Sequence, residues 1–216
     1  MPGDSGLRAD DDQRATTALL LIDVINNFEF EGGTGLARQL RAAVPRIVGL
    51  RDRLRRIGVP VIYCNDNFGQ WRSDFRDVIR RSARGGALDR ELVAALEPRQ
   101  GDYFMLKPKH SAFHATALDL LLQHLGVRRL VLAGTATDSC IVCTATDAHM
   151  REYAVCIPRD CVAAITPDRS RRALALLRTA FDADVRSAAR VTARYVASPP
   201  PHGPRHAGAS RHSNGR

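Results

Sequence analysis

Three residues whose side chains could take part in catalysis lie at or just after the ends of predicted buried strands. Asp23 follows the apolar run TALLLI, Lys107 closes the run YFMLK, and Cys140 lies shortly after the run LVLAG. In an open parallel sheet the ligand crevice lies beyond the carboxyl ends of the strands, so residues far apart in sequence can meet there. The sequence therefore predicts a carboxylate, an ammonium and a thiol at one edge of a sheet.

Cys140 is expected in the first turn of a helix that follows a strand. Unpaired N–H groups and the helix dipole favour a thiolate there, which would bring the thiol pKa below about 8.5. A cysteine elsewhere in a fold is more often a small buried hydrophobe. We interpret three others in that way because they lie in or beside predicted strands: Cys64, Cys156 and Cys161.

Asp23 and Lys107 are expected to form an ion pair. A carboxylate at the end of a buried apolar strand requires a partner, and Lys107 could supply it. Lys107 and Lys109 are the only lysines in the chain, so arginine supplies the other 30 of the 32 basic residues. Ammonium and guanidinium groups are not interchangeable, so a need for a compact ammonium would explain this scarcity, as would codon bias, and the scarcity alone does not decide between them.

Short apolar runs alternate with amphipathic helical stretches, which is typical of a parallel sheet covered on both faces. The sequence predicts a single-domain α/β protein with a three-layer, Rossmann-like fold, a six-stranded, mostly parallel sheet and helices on both faces. The predicted strands are TALLLIDVI at 17–25, VPVIYC at 59–64, YFMLK at 103–107, RRLVLAG at 128–134, AVCIP at 154–158 and a last one near VRSAARV at 185–191.

Helices are predicted between these strands. An amphipathic segment at 36–57 is expected to break or restart at Pro45 and to close at Gly58. Thr116 and Asp119 resemble a capping box for a helix ending at Leu125. The remaining helices are predicted at 87–96, 141–153 and 166–183.

Length and composition favour one globular domain in a cytoplasmic, reduced setting. We predict a flexible segment at 1–14, a domain at 15–197 and a disordered Pro/His/Arg-rich tail at 198–216. The polar N-terminus lacks a secretory signal, no apolar run is long enough for a membrane span, and five cysteines do not suggest a disulfide framework. The net charge of +9 is spread among acidic residues and aromatics are only 6%, so neither nucleic acid nor membrane is an expected partner.

Three blocks carry a family resemblance: ALLLIDVINNF, K-x-x-x-SAF-x-x-T-x-L-x-x-L and LVLAGTATDSCIVCTATDA. In this order they resemble the signature blocks of the isochorismatase-like cysteine hydrolases, over roughly residues 16 to 195. The resemblance implies a catalytic triad of Asp23, Lys107 and Cys140, in which the thiolate attacks an amide carbonyl and a thioester forms. It also implies a cis peptide between Thr135 and Ala136, with the N–H groups of Ala136 and Cys140 as an oxyanion hole.

The resemblance further implies a small-molecule substrate, no redox cofactor and a homo-oligomer, either a dimer or a tetramer. Nicotinamidase-like members bind a metal through an Asp and histidines after the second strand, whereas this chain reads NDNFGQW, so no metal is expected. Asn65 and Asn67 are then either turn formers or substrate contacts.

Several further side chains are candidates for the substrate pocket. Phe28, Phe68, Trp71 and Phe113 could form an aromatic wall, or could simply be core. His110 could face the substrate or the surface. The arginine-rich segment within 72–102 would suit a carboxylate-bearing or otherwise polar amide.

Three alternative functions remain open from the sequence. Isochorismatases proper cleave a vinyl ether by proton donation and typically lack the nucleophilic cysteine, so Cys140 argues against that reaction. A thiol redox protein would use Cys140 and Cys143 as a C-x-x-C pair, which leaves Asp23 and Lys107 unexplained. A non-catalytic binding protein could retain the fold alone.

Overall fold

The computed structural model describes residues 16–199. The predicted segment 1–14 lies outside the described residues, as does the predicted tail from residue 200 onward. The described residues form one sheet in the order β3-β2-β1-β4-β5, in which β6 also pairs with β4 and every strand pair is parallel. The strands are β1 (Thr17–Ile22), β2 (Val61–Asp66), β3 (Tyr103–Lys107), β4 (Arg129–Thr135), β5 (Ala154–Cys156) and β6 (Val162–Ala163).

Helices cover both faces of this sheet, as the sequence predicts. Successive side chains of a strand point to opposite faces, so Leu19 and Leu21 of β1 pack in one core cluster while Leu20 and Ile22 pack in the other. The helices are α1 (Gly33–Arg56), α2 (Phe75–Ser82), α3 (Ala87–Leu96), α4 (Leu118–His124), α5 (Val142–Met150), α6 (Pro167–Ala180) and α7 (Ala193–Ala197). The first cluster contains residues of α1 and α3, and the second contains residues of α4, α5 and α6. The three-layer, Rossmann-like α/β architecture is confirmed.

The prediction of the last strand is wrong. Within 185–191 the chain forms a 3-10 turn at Ala188–Arg190, and only one preceding residue, Asp184, bridges to the sheet, opposite Cys156. The Ala188 and Val191 carbonyls accept from the Arg53 side chain, whereas the Arg186 carbonyl accepts from the Arg159 N–H. The sixth strand is the two-residue β6, which is too short to stand out as an apolar run.

Two helix predictions also need correction. Helix α1 runs through Pro45 without a break and ends before Gly58, whose φ of 76° suits glycine. Proline removes one hydrogen bond, and the buried face of this 24-residue helix offsets the loss. The capping box does not form, because the Thr116 hydroxyl accepts from the Leu118 N–H while the Asp119 carboxylate accepts from Tyr153.

Helix α2 was not predicted, although its signal is present in the sequence. Asp74 accepts from the Asp77 N–H, and the Asp77 carboxylate accepts in return from the Asp74 N–H. This reciprocal pair is a capping box built from two aspartates. Among residues 16–199, no helix combines the length and apolarity needed to cross a bilayer.

Candidate active site

Strand register brings the three predicted catalytic residues to one edge of the sheet. The last residue of β1, Ile22, lies opposite Cys64 on β2 and Gly134 on β4, so the next residue emerges between two strand ends. Lys107 ends β3 opposite Asp66. Asp23, Lys107 and Cys140 thereby meet where parallel sheets bind ligands.

Lys107 links the carboxylate and the thiol. Its Nζ lies 2.8 Å from Asp23 Oδ2 and 3.5 Å from Cys140 Sγ. It also donates to the Lys109 carbonyl at 3.2 Å and lies 3.7 Å from Asp66 Oδ2. The ammonium is fully buried, so these partners replace its hydration.

Backbone contacts fix the Asp23 carboxylate. Its Oδ1 accepts from the Asp66 N–H at 2.7 Å, and its own N–H donates to the Cys64 carbonyl at 3.0 Å. The Asp23 carbonyl accepts from the Thr135 hydroxyl at 2.9 Å. Its φ of 48° lies in the left-handed region, which aspartate adopts more readily than most residues.

Close packing of β1 against β4 explains a glycine beside the site. A Cβ atom at Gly134 would lie 2.1 Å from the Ile22 carbonyl oxygen, and the φ of Gly134 is 119°. Only glycine fits this approach without moving the backbone. The next peptide bond but one, between Thr135 and Ala136, is cis, which is the geometry that the family resemblance implies.

Burial and the charges of neighbouring groups shift the pKa values of Asp23, Lys107 and Cys140. Burial raises the pKa of Asp23, and this outweighs the lowering effect of the Lys107 ammonium. Burial alone would lower the pKa of Lys107, yet the pKa is raised because Asp23, Cys140 and Asp66 favour the ammonium. An ionised Asp23, a protonated Lys107 and a neutral Cys140 together carry no net charge.

The predicted lowering of the thiol pKa is wrong in sign. Burial and the Asp23 carboxylate raise the pKa of Cys140 to about 12, against the opposing effect of Lys107. The residue lies in a π-helical turn, Thr137–Ile141, and not in the first turn of the α-helix that follows. In the resting site the thiol is therefore protonated.

Two side chains of helix α6 contact the turn Thr137–Ile141. The Thr137 hydroxyl lies 2.7 Å from the Ser170 hydroxyl, and Asp138 forms an ion pair with Arg169. Both contacts are made by the first two residues of the turn that carries Cys140. The position of the thiol therefore depends on α6.

The asparagines after β2 have backbone partners. Asn65 is fully buried, and its amide donates to the Ile25 carbonyl at 2.6 Å and accepts from the Ile25 N–H at 3.4 Å. Asn67 accepts from the Gly69 N–H at 2.9 Å, the pattern of an Asx turn. These contacts fit the turn-forming alternative, and contact with substrate stays a prediction for both.

The four aromatic candidates do not form one wall. Phe28 packs in the core cluster on the α1 side, with Phe68 against it, and Phe113 packs in the cluster on the opposite face. Trp71 is 79% exposed, beside a cavity of about 410 Å³ that Arg72 and Arg81 also line. The core interpretation fits Phe28 and Phe113, while Trp71 remains available to a ligand.

Two side chains close to the cluster extend what the sequence predicts. His110 Nδ1 lies 3.8 Å from Cys140 Sγ and 3.3 Å from Ser139 Oγ, which places this pocket candidate at the thiol. Asp66 adds a second carboxylate beside Lys107, a role that sequence reasoning missed. Its position at the end of β2, matching Asp23 at the end of β1, is the signal that could have revealed it.

Within residues 16–199 there is neither a disulfide nor a cluster of potential metal ligands. All five cysteines are free, including Cys140 and Cys143. Residues 16–199 contain no group of three His, Cys, Asp or Glu side chains placed to hold a metal ion.

Comparison with known families identifies the class of protein. Residues 17–190 match the family model described as the isochorismatase domain. A single Rossmann-like domain with this match defines a class of α/β hydrolases. The chain belongs to the isochorismatase family, whose members are hydrolases.

Individual relatives agree with this assignment. The chain is 38% identical over 172 residues to the uncharacterized isochorismatase family protein YaaI of Bacillus subtilis, covering 80% of this chain and 94% of that protein. It is 31% identical over 193 residues to the ureidoacrylate amidohydrolase RutB of Methylobacterium radiotolerans, covering 77% and 75%. The crystal structure of N-carbamoylsarcosine amidase from Thermoplasma acidophilum is similar with a TM-score of 0.61 and 28% identity, covering 80% and 96%.

Proposed function

We propose that this hydrolase cleaves a C–N bond, of an amide or carbamoyl type, in a small molecule through a thioester on Cys140. The observation that carries the proposal is the buried contact of Lys107 Nζ with both Asp23 Oδ2, at 2.8 Å, and Cys140 Sγ, at 3.5 Å. A nucleophile, a base and a cation within hydrogen-bonding reach are the parts that covalent acyl transfer requires.

In the proposed first step, Asp23 takes the thiol proton while Sγ attacks the carbonyl carbon. The raised pKa of Asp23 makes its carboxylate a stronger base than an exposed one. Transfer of this proton leaves the net charge of the cluster unchanged, so it avoids the cost of placing an extra charge in a buried site. Because the resting thiol has a pKa of about 12, the thiolate forms only as the attack proceeds.

Lys107 and the turn stabilise the charges that develop. The Lys107 ammonium faces the sulfur as it becomes negative, and the N–H groups of Ala136 and Cys140 are the proposed donors to the oxyanion. The nitrogen gains a proton and leaves as the C–N bond breaks, which gives the thioester. Water then hydrolyses the thioester, and the proton that it releases replaces the one taken by the nitrogen. Asp23 returns the thiol proton to the sulfur as the C–S bond breaks.

Names of relatives support the bond type. Two similar proteins are named as an amidohydrolase and an amidase, ureidoacrylate amidohydrolase and N-carbamoylsarcosine amidase. Both names denote cleavage at a C–N bond next to a carbonyl group, which is the chemistry that the Asp23, Lys107 and Cys140 cluster suits.

The proposal also covers the setting of the reaction. We place the protein in the cytoplasm as a homo-oligomer, a dimer or tetramer, that acts on a small molecule without a redox cofactor or metal. Neither nucleic acid nor membrane enters the proposal, because the basic residues alternate with acidic ones along the chain.

A panel of amides, ureido compounds and carbamoyl compounds, assayed by ammonia release, tests the proposal. Cys140→Ala should lower kcat/KM by about four orders of magnitude because no other group can form the covalent intermediate. Intact-mass measurement of a rapidly quenched reaction should show an acyl adduct on the wild-type chain and none on Cys140→Ala.

Cys143→Ala is the matched control, since it removes the neighbouring free thiol. It should keep wild-type turnover without added reductant. If Cys143→Ala were inactive and turnover required a thiol reductant, the redox alternative would replace the hydrolase. Full turnover by Cys140→Ala with a vinyl ether substrate would instead favour the isochorismatase reaction.

A further inference from the structure

A titratable side chain lies beside the thiol on the side that faces solvent. His110 is exposed, and its Nδ1 lies 3.8 Å from Cys140 Sγ. Asp23 and Lys107, in contrast, are buried. The sulfur therefore has a carboxylate and an ammonium on its buried side and an imidazole on its open side.

Cleavage of a C–N bond needs a proton on the leaving nitrogen. An amide nitrogen that departed unprotonated would be a strongly basic anion, so a positioned acid accelerates this step by about 10²-fold to 10⁴-fold. Asp23 lies on the buried side of the sulfur, where its carboxylate contacts Lys107 and the Asp66 N–H. An exposed imidazole next to the sulfur can reach a substrate that enters from solvent.

Ser139 holds the ring in one orientation. Its hydroxyl lies 3.3 Å from His110 Nδ1, and within the described chain both contacts of the ring use this nitrogen. The hydrogen bond at one ring nitrogen determines what the other can do. Nε2 is thereby left for the substrate.

We propose that His110 is the general acid that protonates the leaving amine, with Ser139 as its positioning residue. This inference rests on the proposed thioester mechanism. Protonated His110 gives its Nε2 proton to the nitrogen as the C–N bond breaks, while Asp23 holds the thiol proton. Neutral His110 then takes a proton from the water that attacks the thioester, and Asp23 returns its proton to the sulfur as the C–S bond breaks.

Leaving-group dependence separates this role from a structural one. The probes are the primary amide that turns over best and the p-nitrophenyl ester of the same acyl group, because p-nitrophenolate leaves without a proton. Acylation is measured in a single turnover for each probe, as ammonia or as p-nitrophenolate. His110→Gln should slow acylation by the amide about 100-fold and acylation by the ester less than about threefold.

His114→Gln is the matched control, since this exposed histidine lies four residues away. It should react with both probes at wild-type rates. Ser139→Ala should lower the amide rate by a smaller factor than His110→Gln and again spare the ester.

Equal losses on both probes, or no loss on the amide, would overturn the assignment of His110. Slower iodoacetamide alkylation of Cys140 in His110→Gln would also overturn it, by making His110 the base for the thiol. These outcomes differ from failure of the thioester mechanism, in which Cys140→Ala itself would keep amide turnover.

Discussion

Two of the buried cations within residues 16–199, Lys107 and Arg129, have partners of different kinds. Lys107 is 0% exposed and Arg129 is 2% exposed. Lys107 faces two carboxylates and a thiol, all of which can exchange protons. Arg129 donates to the backbone carbonyls of Tyr195, Ser198 and Pro199, and its guanidinium lies 4.5 Å from the centre of the Tyr195 ring.

The difference distinguishes the candidate active site from a structural anchor. Carbonyl groups and an aromatic face stabilise a cation without taking or giving protons. Arg129 thus fixes the end of α7 to β4, and its Nε has no partner within the described residues. A buried charge marks chemistry only when its partners titrate, as they do around Lys107.

Among changes to the two buried cations and their partners, the largest expected effect comes from removing either charge beside Cys140. Asp23→Asn and Lys107→Met should each lower kcat/KM by about 10²-fold to 10⁴-fold, because one removes the base and the other the cation that faces the thiolate. Steady-state assays measure both variants, and thermal unfolding checks that they fold. Wild-type turnover in either variant would exclude that residue from the mechanism.

The same two variants should affect thiol reactivity in opposite directions. The Asp23 carboxylate raises the pKa of Cys140 and Lys107 lowers it, so Asp23→Asn should shift alkylation to lower pH and Lys107→Met to higher pH. With a thiol pKa of about 12, the wild-type rate should still be rising at pH 10. Iodoacetamide rates from pH 7 to 11 measure this order, and shifts of equal sign would contradict it.

Lysine itself should matter at position 107. Lys107→Arg keeps the charge but puts a wider, planar group into a fully buried position, so we expect at least a tenfold loss of kcat/KM. Lys109→Arg is the matched control, because it changes the other lysine at an exposed side chain and keeps the backbone carbonyl. Wild-type activity of Lys107→Arg would contradict a specific need for lysine at this position and leave codon bias as the explanation of its scarcity.

The smallest effect on activity is expected at the structural anchor. Arg129→Met should lower the free energy of unfolding by about 2 kcal/mol, since its charge-assisted hydrogen bonds are lost, and leave kcat of the folded enzyme unchanged. Urea unfolding followed by circular dichroism measures this change. Arg128→Met, at the exposed neighbour, should alter stability by less than about 0.5 kcal/mol.

Elements with a strong local pattern were predicted correctly. Strand β3 spans the predicted YFMLK, and helix α3 spans the predicted 87–96. The segment VRSAARV was predicted as a strand, but the carbonyls of Ala188 and Val191 accept from Arg53, which lies in a helix more than 130 residues earlier. Sequence patterns report local preference and not such distant hydrogen bonds.

Prediction of the site shows the same limit. Asp23, Lys107 and Cys140 could be chosen because each follows a strand, and the register of the sheet brings them together. The thiol pKa could not be predicted from Cys140 and its own turn, because the Asp23 carboxylate that raises it reaches the thiol only through the tertiary fold. The contacts of His110 with Cys140 and of Asp66 with Lys107 likewise form only in the tertiary fold.

The contacts between α6 and the turn that carries Cys140 have a consequence for synthesis of the chain. The ribosome releases Cys140 about 30 residues before Arg169 and Ser170, the side chains that hold its turn. Domains fold as units while the chain emerges, N-terminal parts first. A nascent chain that already contains Asp23, Lys107 and Cys140 would therefore lack the contacts that hold this turn. On the proposed mechanism, its activity would begin only once the start of α6 has left the ribosome.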